Sequence, residues 1–300
     1  TAVGYNALNQ NTTGTQNVAV GSRAGDAITT GSENTAIGHA SLTNATTASD
    51  NTGVGRATLN QNTSGVSNTA VGHDALENNT TASNNTAVGK DALTNNTTGG
   101  TNVAVGSLCM DANTEGQNNV AVGVHALGGN TTADDNTAIG HNALKENTTG
   151  VNNTAIGSLA LDANTTANNN TAVGTTALGA NTTGNLNVAV GVSSLALNTI
   201  GDRNVAVGVE ALKTFNPSSN ADTYNTAVGH IALKALTTGT NNTAIGGQAM
   251  EQATTGTNNT SLGYGSLNAN TTADANTAVG AAVLDANTTG ASNTAVGYLS

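Results

Sequence analysis

Apolar and polar positions alternate over a few residues at a time, and the whole pattern then recurs at a fixed interval. Taking the glycine of the usual Ala-Val-Gly or Ala-Ile-Gly triplet as origin gives Gly4, Gly21, Gly38, Gly55 and so on to Gly208, always 17 residues apart. The step lengthens once, to 21 residues at Gly229, and returns to 17 through Gly297, so the chain holds eighteen origins and one four-residue insertion in the coil at 209–225. Self-similarity at so short a period is the mark of a solenoid. The averaged unit reads N-(T/V)-A-V-G-x-x-A-L-x-x-N-T-T-G-x-x. Its first part alternates with period two and predicts a short strand, while N-T-T-G reads as a corner whose Asn and Thr side chains bond nearby backbone. A helical repeat is excluded, because Asn, Thr, Gly and β-branched residues are poor helix formers and the unit is too short for two helices. Two or three strands and their corners would fit. The expected fold is all-β, a parallel β-solenoid or β-roll of about 18 coils that runs as one continuous domain over residues 1–300.

If each unit closes one circuit, every residue meets its equivalent in the next coil at about 4.7 Å. Like must then tolerate like. Asn ladders amide to amide, Thr and Val pack well, and like charges repel. Asn stands four places before the origin wherever that position exists, as Asn17, Asn34, Asn51, Asn68, Asn85 and Asn102, and is expected to form one column. Leu8, Leu42 and Leu59 stand four places after it, broken at Gly25, and are the expected core filler. In the strand, Val18 and Val20 share one face while Ala19 and Gly21 share the other, whose smallness suits close approach of a second sheet or chain. The corner glycine is replaced by Ala48, Ala82 and Ala133, so smallness suffices there; the origin glycine never is, which points to a left-handed backbone or a tight contact. Arg23, Asp26, Arg56, Asp74, Lys90 and Asp91 fall at variable positions and are expected to face solvent.

Composition narrows the function. With one proline, no tryptophan and 2% aromatic residues, any core must be thin. The net charge of −11 is scattered singly, which argues against nucleic acid, and no apolar run is long enough to insert in a membrane. The chain opens inside a repeat at Thr1, as a piece of a longer polypeptide would. A lone Cys109 rules out an intrachain disulfide framework. Burying one Val and one Leu per coil does little against the entropy of ordering seventeen backbones, so an oligomer is expected.

The units N-T-A-V-G at 85–89 and N-V-A-V-G at 102–106 resemble the head repeats of trimeric autotransporter adhesins. The longer N-T-A-V-G-x-x-A-L-x-x-N-T-T-G unit, at 136–150 and 276–290, is similar to repeats of phage tail fibres and tail-fibre-like proteins that end in an endosialidase-type chaperone domain. The adhesin heads use a shorter period, and neither anchor nor chaperone segment is read here. The resemblance implies a left-handed, trimeric roll at a cell surface or virion: an extracellular fibre or adhesin shaft that acts as a rigid spacer. Its implied partners are further copies of itself and a surface glycan or host protein.

No motif calls for catalysis, a cofactor or a metal. His39, His73, His141 and His230 all follow the origin glycine, but the same slot holds Tyr5, Ser22, Arg56 and Lys90 in other coils, so an exposed variable position is the simpler reading. Asp134 and Asp135 lie outside any calcium repeat. Asn11, Asn79, Asn130 and Asn147 match the N-glycosylation acceptor pattern, with repeated turn chemistry as the preferred explanation. Phe215, Asn216 and Pro217, in the insertion, form a candidate contact loop. Two other functions remain open: an end-to-end self-assembling filament, and an ice-binding solenoid. Against the latter, adjacent threonines in a strand point to opposite faces.

Overall fold

The computed structural model describes residues 1–300. It is all-β, with 18 parallel strands and two compact units. The first unit, Thr1–Val151, carries nine strands from β1 (Ala2–Val3) to β9 (Thr137–Ile139). The second, Asn152–Ser300, carries nine from β10 (Thr154–Ile156) to β18 (Thr294–Val296). Within each unit the coils stack as a β-solenoid in the expected register: Ala19 pairs with Ala36, Ala70 with Ala87, and Ala172 with Ala189. Where the insertion lengthens a coil, Val207 still pairs with Val228.

Each full coil has one three-residue strand, not two or three. Left-handed residues at three places per coil keep the rest of the circuit from extending. In one coil they are Asp74 (φ 57°), Leu76 (φ 51°) and Asn84 (φ 62°). The first two sit in tight turns; that of Leu76 is closed by Asn79 N–H to the Leu76 carbonyl (3.2 Å), and the next coil's equivalent of the Asp74 turn by Ala92 N–H to the Gly89 carbonyl (3.4 Å). Even there the amides reach adjacent coils, as Leu76 N–H does to the Ala92 carbonyl (3.0 Å) and Asp74 N–H to that of Arg56 (3.0 Å). The ladder therefore continues round the turns and leaves few orphaned backbone groups.

A left-handed Leu costs about 1–3 kcal/mol, so its conservation of place must be repaid by burial. Leu42, Leu59, Leu76 and Leu93 are fully buried, while Leu8, in the first coil, is half-buried. Where the column breaks at Gly25, Ile28 supplies the missing volume from three residues on: a Cβ built on Gly25 would lie 2.9 Å from its Cδ1.

The small strand face is turned inward, contrary to the expectation that another sheet or chain would cover it. Ala19, Ala36, Ala70 and Ala87 are fully buried, facing a second Ala column at Ala24, Ala75 and Ala92 and the leucines. Both columns are filled mainly by Ala, with larger residues such as Cys109, Ser194, Ser261 and Val283 at single places. Gly53 replaces the strand Ala where Ser41 and Thr58 replace the facing Ala; a Cβ there would meet Ser41 Oγ at 2.5 Å and Thr58 Oγ1 at 2.9 Å. Val18 and Val20 lie on the outside, so the one Val per coil expected to be buried is not.

At the origin, both anticipated reasons for glycine hold together. Gly4, Gly21, Gly38 and Gly55 have φ of 135°, 137°, 132° and 142°, and a Cβ on any of them would fall 2.2–2.5 Å from the next origin glycine's carbonyl oxygen.

Candidate interaction surface

Two asparagine ladders hold most coils closed from within; the second is broken where Ile28, Ala45, Phe215, Leu236 and Ala253 stand at the corner. In the first, Asn34 N–H donates to Asn17 Oδ1 (3.0 Å), and the step repeats through Asn51, Asn68, Asn85 and Asn102 at 2.9–3.1 Å. In the second, at the corner, Asn79 Nδ2 donates to Asn62 Oδ1 and Asn96 Nδ2 to Asn79 Oδ1. Where the corner Asn is present, both ladders converge on one carbonyl. That of Ala82 accepts from Asn68 Nδ2 (2.9 Å) and Asn79 Nδ2 (3.0 Å), which ties the start of the strand to the corner. Buried amides at this density are tolerated because each is bonded. The glycosylation-pattern residues Asn79, Asn130 and Asn147 belong to this inner ladder and have no exposed surface, leaving Asn11 as the exposed one of the four.

The corner threonines do not behave as strand residues. N-T-T-G is a bend, and Thr46 and Thr47 are both exposed. Hydroxyls of the first Thr column run along the stack: Thr63 Oγ1 donates to the Thr80 carbonyl (3.1 Å) and Thr80 Oγ1 to that of Thr97 (3.0 Å). Their protons are spent on the protein.

The proposed contact loop is only partly presented. Phe215 takes the place of a corner Asn and is fully buried, with Pro217 buried beside it, and both lie over Gly201. Asn216 is exposed, but its Oδ1 accepts from Thr199 Oγ1 at 2.6 Å. The exposed part of the insertion is 218–222, and its end is tied down: Asp222 accepts from Arg203 Nε (2.6 Å) and from Tyr224 Oη (2.9 Å). Both bonds hold the Asp222 carboxyl below its ordinary range.

Charged side chains follow the solvent expectation unevenly. Arg23, Arg56 and Lys90 are exposed, whereas Asp26, Asp74 and Asp91 are half-buried because their positions lie within the turns. Burial, then Asp74, raises the Glu77 carboxyl above its usual range, and burial also raises Asp111. His39, His73, His141 and His230 are exposed, as expected of that slot. No pocket opens on the surface.

What the structure does present is the outer face of the strands. Its two rows are Thr or Val three places before the origin and Val, Ile or Leu one place before it, without a charge at either position in any coil. In the first unit Val20, Ile37, Val88, Val105, Val122 and Ile139 are each 36–39% exposed, and in the second Ile156, Ile245 and Leu262 continue the pattern. Monomeric proteins rarely expose a contiguous apolar patch larger than a few hundred Å². The alternation was visible in the sequence; its outward orientation was not. Comparison with protein-family models, with curated proteins and with solved structures finds nothing that matches the chain.

Proposed function

We propose that this chain is a structural element of an extracellular fibre, a spacer whose outer strand face packs against further copies of the same chain. The observation that carries this reading is the uncharged, ridged row of Val and Ile on that face. A second copy has the matching composition and the same repeat along the stack, so ridges of one can seat between ridges of the other. The net charge of −11 opposes association in general, but the charged positions lie in the turns and the face is free of them. The resemblance to adhesin heads and tail-fibre repeats supports three copies, a cell surface or virion as location, and a glycan or host protein as the attached surface.

Sedimentation and light scattering of the purified chain test the proposal. A discrete trimer is expected, and Val88→Lys with Val105→Lys and Val122→Lys should give a folded monomer with unchanged circular dichroism. A wild-type chain that stays monomeric at high concentration, or a trimer indifferent to the three lysines, overturns it.

A further inference from the structure

Charged side chains cluster across three successive coils of the first unit. Arg56, His73 and Lys90 occupy the slot after the origin glycine in three successive coils, and Asp74 and Asp91 occupy the next slot in two of them. The 17-residue register stacks them. His73 Nδ1 lies 2.8 Å from Asp74 Oδ2, and Arg56 Nη1 lies 2.7 Å from His73 Nε2. A guanidinium only donates, so Nε2 is the acceptor and the ring proton sits on Nδ1, directed at Asp74. Asp74 Oδ1 is buried without a hydrogen-bond partner, and Arg56 approaches it only to 4.0 Å. Lys90 Nζ pairs with Asp91. One donor atom from each of His73, Asp74 and Asp91 lies within 4.8 Å of the other two.

We infer that His73, Asp74 and Asp91 form a binding site for a divalent transition-metal ion of the zinc or copper(II) kind. One imidazole with two carboxylates is a nitrogen and oxygen donor set that such ions accept. Bonds of about 2.0–2.2 Å would draw the donors closer than they now stand, a movement open to half-exposed side chains. The ion displaces the Nδ1 proton, which passes through solvent to Nε2, so the ring binds as a neutral imidazole with no net proton released. Nδ1 and one oxygen from each Asp bind, and water completes the sphere. Two features of the arrangement suit this exchange. The buried Asp74 oxygen gains a partner, and the charges of Arg56 and Lys90 hold places that the ion takes over. Once Nε2 carries the ring proton, Arg56 can no longer donate to it and swings away.

The site is particular to this coil. The residues that follow the other three histidines of the column are Ala40, Asn142 and Ile231, none of them a carboxylate. Zinc titration by calorimetry and copper(II) titration by electron paramagnetic resonance, on the whole chain in a non-coordinating buffer, provide the test. One saturable site per chain is expected, with a nitrogen ligand in the copper spectrum. His73→Ala and Asp91→Asn should each weaken binding at least tenfold with circular dichroism unchanged, and Arg56→Gln should tighten it. Absence of saturable binding overturns the inference, as does binding that survives His73→Ala and so belongs to other histidines.

Discussion

Replacing Asn68 by Ala tests the inner ladder. The side chain makes three bonds: Nδ2 donates to Asn51 Oδ1 (3.1 Å) and to the Ala82 carbonyl (2.9 Å), and Oδ1 accepts from Asn85 N–H (3.0 Å). The two acceptors keep other donors, since Asn51 Oδ1 still receives Asn68 N–H and Ala82 still receives Asn79 Nδ2. The Asn85 amide keeps nothing, and it is buried. Stranding it costs about 1–3 kcal/mol, and each of the other lost bonds about 0.5–1.5, for a total of about 2–6 kcal/mol. In a solenoid this loss stays with the coils that share the bond. Amide hydrogen exchange resolves it: Asn85 should exchange about tenfold faster for each 1.4 kcal/mol lost, while amides several coils away keep their protection. Asn68→Asp retains an acceptor for Asn85 and should protect that amide while losing both donated bonds. An Asn85 amide that exchanges at the wild-type rate in the alanine variant would refute the ladder as a source of stability.

Three further outcomes follow from the geometry. Glu210 receives bonds from Lys213 and then Lys234, both at 2.7 Å, which hold its carboxyl at about 2, below its ordinary 4.5. Because the folded value is the lower one, its stabilisation is complete above about pH 4.5 and disappears as pH falls toward 2. Solvent screening keeps the effect small. The urea midpoints of wild type and Glu210→Gln should therefore differ at pH 7 and converge near pH 2. Burial pushes the Cys109 thiol up to about 12, so a thiol-specific reagent at pH 8 should label it only at the rate of local unfolding. Gly106→Ala places a Cβ 2.4 Å from the Gly123 carbonyl oxygen at φ 144° and should lower the thermal midpoint by more than the equivalent of about 1–3 kcal/mol, the cost of the backbone conformation alone. An unchanged midpoint would mean that the coils can separate there without loss.

Much of the architecture was legible because a solenoid converts period into contact. Once 17 residues close a circuit, the Asn17-to-Asn102 column, the parallel register and the need for glycine at Gly4 and Gly21 all follow from like meeting like. The same register is the signal that could have found the charged cluster, since Arg56, His73 and Lys90 differ by 17, as do Asp74 and Asp91. Along their own slot alone the histidines give no sign of it, because the acids stand one place further on.

Which strand face is inside lay beyond the pattern. Period two separates Val18 and Val20 from Ala19 but assigns neither to the core, and hydrophobicity alone favours the valines. The turns decide. Left-handed residues at positions such as Asp74, Leu76 and Asn84 curl the chain toward its small side chains, and the space left inside fits Ala, Leu and bonded Asn but not a further row of Val. Helix and strand propensities say little about a leucine that accepts positive φ, because its cost is met by burial that exists only after the coil has closed. The apolar row on the outside is therefore a product of the tertiary structure.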